Sequence, residues 1–424
     1  MQSNERGPRQ LRRLIGATLP DGRRVDVELD GATVATVTPA AVWEPEPDAL
    51  DLTGFVLLPA AAEPHAHLDK ALSWDAIRPP MGDLRAAITA WRAYAATMTV
   101  EDVAARARRQ ALRMLSQGTT AIRTHVDVLL GDEPLRGIEA LVQVREELAA
   151  LIDIEIVALA GPDIADAAIE AALDAGADVL GGASHLADDP LADLNRLLDI
   201  AERRGVPIDL HTDEGLSAAV TLDAYARRTA GWAQNRSAGH CVRLGTLHRP
   251  RRDAVITDAV ASGIGIIANP ITNLYLQGWD DDIAMPRGIA PARALLQAGA
   301  RFAAGADNVR DPFNPLGRGD ALETAMLLVA ASHLTVDEAY AAVSTGAREV
   351  MGLPVAGVVP GAQADLLALR ADSLVQAVAE APAERLVLRR GALVAASTLD
   401  SWVAQPRCAA SGPSLFPGRN IDAP

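Results

Sequence analysis

The sequence predicts an α/β protein built on a (β/α)₈ TIM barrel, with a small β-sandwich domain formed by both chain ends. Two observations support this fold class. Residues 59–349 alternate short apolar runs with helix-length segments, whereas both ends of the chain show short strands broken by turns. We therefore assign residues 1–58 and 350–424 to the small β-domain and residues 59–349 to the barrel.

Eight apolar runs are the predicted barrel strands. They cover residues 55–62, 119–125, 154–160, 177–182, 207–211, 237–240, 263–269 and 301–306. Helix boundary signals lie between them. Asp189 precedes Pro190, the pattern of an N-cap followed by proline at the first helical position, and Gly205 closes that helix. Thr99 opens another helix, which ends at Gly118.

The two chain ends supply the remaining strands. Turn dipeptides at Asp21-Gly22 and Asp30-Gly31 separate alternating runs between residues 14 and 40. Runs of the same character occupy residues 364–369 and 385–388. The tail after Gln405 is rich in proline, glycine and serine and is expected to run over the surface.

Composition narrows the functional class. Of the 424 residues, 49% are hydrophobic and 22% charged, enough for a large core. The net charge of -16 disfavours a nucleic-acid partner, and no apolar run is long enough to cross a bilayer. Cys241 and Cys408 do not form a disulfide framework or a thiolate metal motif. We expect a cytoplasmic homo-oligomer that acts on a small molecule.

Histidines at predicted strand ends are the strongest chemical signal. His65 and His67 are two residues apart, so in a strand their imidazoles face the same side. That motif alone also arises by chance in polar turns. However, His211, His240 and Asp307 also end predicted strands, and strand ends meet at the mouth of a barrel. Such a ligand inventory suits zinc or ferrous iron.

Several ordered blocks resemble the amidohydrolase superfamily, in its cytosine-deaminase-like branch. The blocks are residues 63–69, 123–127, 211–214, 240, 269–278 and 307–317. The resemblance implies that His65, His67, His211 and Asp307 hold the metal, and that His240 hydrogen-bonds the nucleophilic water or the developing oxyanion. It also implies that Glu214 shuttles protons. The chemistry agrees, because a cation lowers the pKa of bound water toward ~7, and a ring nitrogen must be protonated before the exocyclic C–N bond breaks.

The lysine count bears on the number of metal ions. Binuclear members of the superfamily usually bridge two metals with a carboxylated lysine on the fourth strand. Lys70 is the single lysine of this chain and follows the first predicted strand. We therefore expect one divalent metal ion per subunit, Zn²⁺ or Fe²⁺. Asp69 and Lys70 are interpreted as a loop ion pair or as groups that orient a ligand.

The substrate pocket departs from the pattern of cytosine deaminases. Gly161 stands where those enzymes carry a glutamine that pairs with the pyrimidine, Asn308 replaces a second aspartate, and Phe313 replaces a tryptophan. Cytosine is therefore a doubtful substrate, and a different, larger ring is expected. His185 is also assigned to substrate binding. His125 is equally compatible with a structural role and a ligand role, and Asp213 is expected to be a solvated carboxylate.

Three functions follow from these residues, in decreasing order of support. The first is hydrolytic deamination of a small nitrogen heterocycle. The second is cleavage of an N-alkyl amine or cyclic amide bond, as in triazine-degrading relatives, which tend to lose the glutamate that this chain retains as Glu214. The third is a non-catalytic metal-binding barrel, which the complete ligand set disfavours.

Overall fold

Two β-sheets organise the chain in the computed structural model, which describes residues 7–43 and 46–403. The strands of that part, numbered in chain order, are β1 (Arg9–Gln10), β2 (Arg13–Thr18), β3 (Arg24–Asp30), β4 (Thr33–Pro39), β5 (Ala49–Asp51), β6 (Val56–Pro59), β7 (Ala61–Ala66), β8 (Thr119–Asp127), β9 (Asp153–Ala160), β10 (Val179–Gly182), β11 (Ile208–Thr212), β12 (Arg236–His240), β13 (Gly265–Ala268), β14 (Phe302–Ala304), β15 (Leu366–Leu369), β16 (Arg385–Arg389) and β17 (Ala392–Ser397).

In the described part of the chain, the first ten helices lie between barrel strands and the last four follow the last barrel strand. They are α1 (Trp74–Ile77), α2 (Leu84–Ala95), α3 (Val100–Ser116), α4 (Arg136–Leu148), α5 (Asp166–Asp174), α6 (Pro190–Arg204), α7 (Leu222–Arg228), α8 (Arg249–Ser262), α9 (Pro270–Leu276), α10 (Ala292–Gln297), α11 (Ala321–Ser332), α12 (Val336–Ala342), α13 (Thr345–Met351) and α14 (Leu374–Glu380). Among the described residues, no helix combines the length and apolar character that a membrane crossing requires.

Strands β7 to β14 form the barrel. They are parallel and lie in chain order, each hydrogen-bonded to the next. The first and last strands meet through a parallel bridge between Ala66 and Asp307, which nearly closes the sheet into a cylinder. The predicted α/β barrel is confirmed. Its strands end on one face, where chemistry in such barrels is concentrated.

The other nine strands come from both ends of the chain and form a separate, mostly antiparallel sheet. The order is β1-β17-β16-β15-β6-β2-β3-β4, with β5 paired to β2. Apolar side chains from both chain ends, including Leu14, Val27 and Leu366, pack into a core of their own. The contribution of both ends to one small β-domain is therefore confirmed, while its exact boundaries stay a prediction.

The predicted strand over residues 55–62 divides into two. β6 pairs with β15 of the small sheet, and β7 pairs with β8 of the barrel. The division falls at Ala60, whose N–H donates to Asp365, whereas the N–H of Ala61 donates to Gly118. Because the whole run is apolar and buried, its pattern does not reveal that the chain changes sheets there.

The predicted helix ends are confirmed. The Asp189 side chain accepts a hydrogen bond from the N–H of Ala192, and Gly205 adopts the left-handed conformation that ends α6. Thr99 caps α3 in the same way through the N–H of Asp102. The tail after Gln405 lies outside the described residues, and the expected homo-oligomer stays a prediction.

Candidate metal centre and active site

The candidate site lies at the carboxyl ends of the barrel strands. His65 lies near the end of β7, His67 follows it, and His211 and His240 lie near the ends of β11 and β12. Asp307 comes just after β14 and pairs with the first strand. Five side chains that are distant in sequence are therefore brought to one end of the barrel.

Four ligand-type atoms converge there. Nε2 of His211 lies 3.3 Å from Nε2 of His65 and 3.2 Å from Nε2 of His67. Oδ1 of Asp307 lies 3.2 Å from Nε2 of His67 and 3.8 Å from Nε2 of His65. Zinc–ligand distances of ~2.1 Å in a tetrahedron place neighbouring ligand atoms ~3.4 Å apart. The spacing of these four atoms therefore fits one divalent cation.

Burial and charge agree with that fit. All four side chains are buried, and burial lowers the pKa of each histidine well below its usual value, which leaves neutral imidazoles. Burial and the nearby Glu214 raise the pKa of Asp307. Neither carboxylate oxygen of Asp307 has a hydrogen-bond partner in the part of the chain that the structure describes. A buried carboxylate without donors is stabilised by a cation.

Glu63 holds the first and last barrel strands together next to the metal ligands. Its Oε1 accepts from the N–H of His65 at 3.0 Å, and its Oε2 accepts from the N–H of Ala306 at 2.9 Å. Gly305 makes room for this contact, because a Cβ there would lie 2.4 Å from Oε1 of Glu63. These two hydrogen bonds of Glu63 fix the position of His65 relative to Asp307. The N–H of Asp307 in turn donates to the carbonyl of His65.

Lys70 lies behind His67. Its Nζ lies 3.3 Å from Nδ1 of His67 and donates to Asp69 and Asp127 at 3.1 and 2.9 Å. Trp91 donates its indole N–H to the other oxygen of Asp127 at 2.6 Å. Although burial disfavours the charge, the two carboxylates raise the pKa of Lys70 above its usual value. Asp69 and Lys70 thus form the expected ion pair, and the pair abuts a candidate metal ligand.

Glu214 and His240 lie side by side above these ligands. Oε1 of Glu214 is 3.5 Å from Nδ1 of His240, which is itself 3.9 Å from Oδ2 of Asp307. Burial raises the pKa of Glu214 to about 8, so its carboxyl group is protonated at neutral pH. Burial lowers the pKa of His240 to about 3. A proton donor and a neutral imidazole are therefore next to the metal ligands.

The backbone at three strand ends is strained. Asp213, His240 and Asp307 have φ values of 50°, 68° and 57°, in a left-handed region that residues other than glycine seldom occupy. Asp213 is fully buried and accepts from the N–H and hydroxyl of Thr221 at 2.8 and 2.7 Å. The expectation that Asp213 is solvated is therefore wrong. Its carboxylate anchors the turn that presents Glu214.

His125 does not join the four convergent atoms. Its ring lies against that of His65, with centroids 4.0 Å apart and planes inclined by 35°. Its Nε2 is 3.8 Å from Asp209, whose carboxylate also accepts from the buried guanidinium of Arg123 at 2.8 Å. The Nε2 atom of His125 makes no hydrogen bond to Asp209 at this distance, and His125 has no short contact to Asp307 or His67 of the kind that joins the four ligand atoms. The arrangement supports a structural role for His125.

A cavity of ≈ 1180 Å³ opens onto the site. Its wall includes all four residues that were assigned to substrate binding, together with five of the predicted metal and catalytic residues: Gly161, His185, Asn308, Phe313, His67, His211, Glu214, His240 and Asp307. His65 lies beneath the wall. The structure therefore gathers the predicted residues around one cavity, and their individual roles stay predictions.

Helix α2 contributes a wall that the sequence did not indicate. Arg85, Thr89 and Arg92 line the cavity, and Arg92 donates to Asp163 at 3.1 Å. Apart from its chain neighbours, the only described atom within 4 Å of a Cβ built on Gly161 is a guanidinium nitrogen of Arg92, at 3.9 Å. The cavity is therefore open at the position where a glutamine is expected in cytosine deaminases.

Two further residues of the site were not predicted from the sequence. Asn273 places its amide nitrogen 3.0 Å from Nδ1 of His240, and Gln277 donates to the carbonyl of Glu214 at 2.8 Å. Both belong to the block 269–278, which carried the resemblance without an assigned role. The available signal was a set of polar residues in the short segment that follows β13, on and just after α9.

Comparison with known proteins agrees with the geometry. A model of the amidohydrolase family matches residues 83–395. The chain is 30% identical to pterin deaminase from Rhizobium rhizogenes over 91% of this chain and 92% of that protein.

Solved structures show the same architecture. 5-Methylcytosine deaminase from Klebsiella pneumoniae has a TM-score of 0.82 and 26% identity, over 92% of this chain and all of that chain (100%). N-isopropylammelide isopropylaminohydrolase from Burkholderia multivorans has a TM-score of 0.78 and 31% identity, over 91% and 98% of the two chains.

Proposed function

The chain belongs to the amidohydrolase family, and from that membership we propose that its reaction is hydrolytic deamination of a nitrogen heterocycle with release of ammonia. It is a hydrolase that acts on carbon–nitrogen bonds, and it carries a buried His/Asp metal site.

The position of Glu214 is the observation that carries the proposal. Its carboxyl group is buried in the wall of the cavity, beside His240 and close to the four ligand atoms. Deamination of an aromatic ring needs an acid at this place, because the ring nitrogen must gain a proton before the neighbouring carbon accepts a nucleophile. A carboxyl group with a pKa of about 8 holds that proton at neutral pH.

We assign one divalent cation to His65, His67, His211 and Asp307. When bound, such a cation lowers the pKa of a coordinated water and so supplies a nucleophile at neutral pH. Asp307 would accept the first proton of the water at Oδ2, which lies 3.9 Å from Nδ1 of His240. Glu214 protonates the ring nitrogen and then carries the second water proton to the departing amine. His240 donates a hydrogen bond to the oxygen that develops negative charge.

A fused amino-pyrimidine ring of the pterin type is the substrate class that we place first. The relative that shares 30% identity over 91% of this chain deaminates pterins, according to its name. The cavity of ≈ 1180 Å³ exceeds the need of a single six-membered ring. Gly161 lacks the amide that would pair with cytosine, so the pocket is open toward α2.

Cleavage of an N-alkyl amine is the second candidate. It is favoured by the 31% identity to N-isopropylammelide isopropylaminohydrolase over most of both chains. The two candidates differ in the product that leaves, which is ammonia in one case and an alkylamine in the other.

A product screen tests the proposal. The zinc-loaded and iron-loaded proteins are incubated with pterin, guanine, cytosine, creatinine and N-isopropylammelide, and released ammonia and isopropylamine are quantified separately. We expect ammonia from pterin at the highest rate. Isopropylamine as the main product would favour the second candidate, and no amine from any ring would overturn both.

A further inference from the structure

His185 stands out because its two ring nitrogens have different surroundings. The residue lies in a short 3₁₀ turn after β10, and its side chain is 3% exposed. Nδ1 lies 3.2 Å from the backbone carbonyl oxygen of His211. A carbonyl oxygen only accepts hydrogen bonds, so Nδ1 carries the hydrogen. In a neutral imidazole, Nε2 is then a lone-pair acceptor.

That acceptor, Nε2 of His185, is buried and has no donor in the part of the chain that the structure describes. The closest carboxylate oxygen is Oε2 of Glu214 at 3.8 Å, which is too far for a hydrogen bond. His185 and Glu214 both line the same wall. Buried polar atoms almost always have partners, so an acceptor in a cavity wall points to a donor on the ligand.

We propose that His185 accepts a hydrogen bond from the amino group that the reaction expels, while Glu214 protonates the same nitrogen. This inference rests on the proposed function and assigns it a residue that selects the leaving group. With 3.8 Å between Nε2 of His185 and Oε2 of Glu214, one nitrogen can lie ~2.9 Å from both atoms. Its N–H points at His185 and its lone pair points at the proton of Glu214.

The step balances without another reagent. As the carbon–nitrogen bond breaks, its electron pair stays on nitrogen, which takes one proton from Glu214. The hydrogens that were already on nitrogen remain there, and ammonia leaves. The carbon keeps the oxygen delivered by water as a carbonyl group. Because His185 contacts an N–H, a leaving group that has no N–H gains nothing from this residue.

Two substitutions of His185 distinguish the roles of its two ring nitrogens. His185→Asn keeps a donor near the position of Nδ1 and removes the acceptor, whereas His185→Gln places an amide oxygen near the position of Nε2. Exposed His248 supplies the matched control, His248→Asn. Each zinc-loaded variant is assayed with pterin and with the same ring that carries a 2-methylthio group in place of the 2-amino group.

We expect His185→Asn to lower kcat/KM for pterin about tenfold and to leave the methylthio reaction within about twofold of the parent. His185→Gln retains more of the pterin activity than His185→Asn, and His248→Asn matches the parent with both rings. An equal loss on both rings would assign His185 a purely structural role and overturn the inference. If the parent protein released no ammonia from any ring, the proposed function itself would fail.

Nitrogen-15 NMR of the histidine side chains gives a readout that does not depend on turnover. In zinc-loaded protein, we expect the His185 ring to be protonated at Nδ1 and bare at Nε2. The opposite tautomer would make Nε2 a donor and overturn the inference, whatever the kinetic result.

Discussion

The ammonium of Lys70 lies 3.3 Å from Nδ1 of His67, the candidate ligand whose Nε2 faces Asp307 at 3.2 Å. This ammonium is 2% exposed and is neutralised by Asp69 and Asp127. A chain of contacts therefore runs from the candidate metal centre to the indole of Trp91. The hydrogen bonds of Lys70 and Trp91 to Asp127 connect the segment after β7 to the end of β8 and to α2.

Removal of the ammonium tests this chain of contacts. Lys70→Met leaves the buried carboxylate of Asp69 unpaired, so we expect the free energy of unfolding to fall by ~3 kcal/mol, as for other broken buried ion pairs. Urea denaturation of the zinc-loaded protein measures it. The double variant Asp69→Asn/Lys70→Met removes both charges and should recover part of that loss. A double variant as unstable as Lys70→Met would show that charge compensation is not the cause.

Metal content tests the ligand set. We expect about one zinc or iron per chain by elemental analysis, because four ligand atoms converge on a single point. His211→Ala or Asp307→Asn should reduce bound metal to a small fraction. His248→Ala, at an exposed histidine, should leave it unchanged. Two equivalents per chain in the fully active protein would contradict the assignment.

Periodicity was sufficient for the barrel because each strand includes or adjoins a short apolar run and helix-length segments separate these runs. All eight barrel strands lie within or beside the predicted runs. The change of sheet at Ala60 was not predictable, because the chain is apolar on both sides of it from residue 55 to residue 62 and only long-range hydrogen bonds distinguish the two strands. Strand-to-strand partners are properties of the folded chain rather than of a local pattern.

Some residues of the site were likewise predictable from the sequence, and others were not. Metal-type ligands are rare residues at strand ends, so His65, His67, His211 and Asp307 were identifiable in advance. Arg92 was not, because it lies on an amphipathic helix whose arginines have the pattern of a solvated face. The burial of Asp213 was not predicted for a related reason. A carboxylate beside a turn is usually solvated, and its burial depends on Thr221, eight residues further along the chain.

Loss of the proposed proton shuttle should separate chemistry from metal binding. Glu214→Gln keeps the size of the side chain and removes the exchangeable proton, so we expect kcat for pterin to fall by about 10³-fold while metal content is retained. Single-turnover assays and elemental analysis on the same preparation measure both. Glu139→Gln, at an exposed glutamate on α4, serves as the matched control. Full activity of Glu214→Gln would refute the mechanism.

The pH dependence follows from the same residue. Burial raises the pKa of Glu214 to about 8, and the groups that face it are His185, His240 and Asp307. The acid form gives the proton, so activity is present below this pKa and is lost above it. We expect kcat to decline as the pH rises through about 8. A kcat that increases across that interval would show that the ionised form is the active one.

Gly161 provides the sharpest test of ring selection. Among the described residues other than its chain neighbours, only a guanidinium nitrogen of Arg92 lies within 4 Å of a Cβ built at this position. Gly161→Gln therefore has room for its Cβ and adds an amide to the cavity wall, so we expect cytosine deamination to increase by about tenfold or more while the larger pterin ring loses activity. Gly161→Leu has a similar volume but no hydrogen-bonding group, so it should lower pterin turnover without any gain on cytosine. If both variants changed the two activities alike, volume rather than hydrogen bonding at residue 161 would govern the choice of ring.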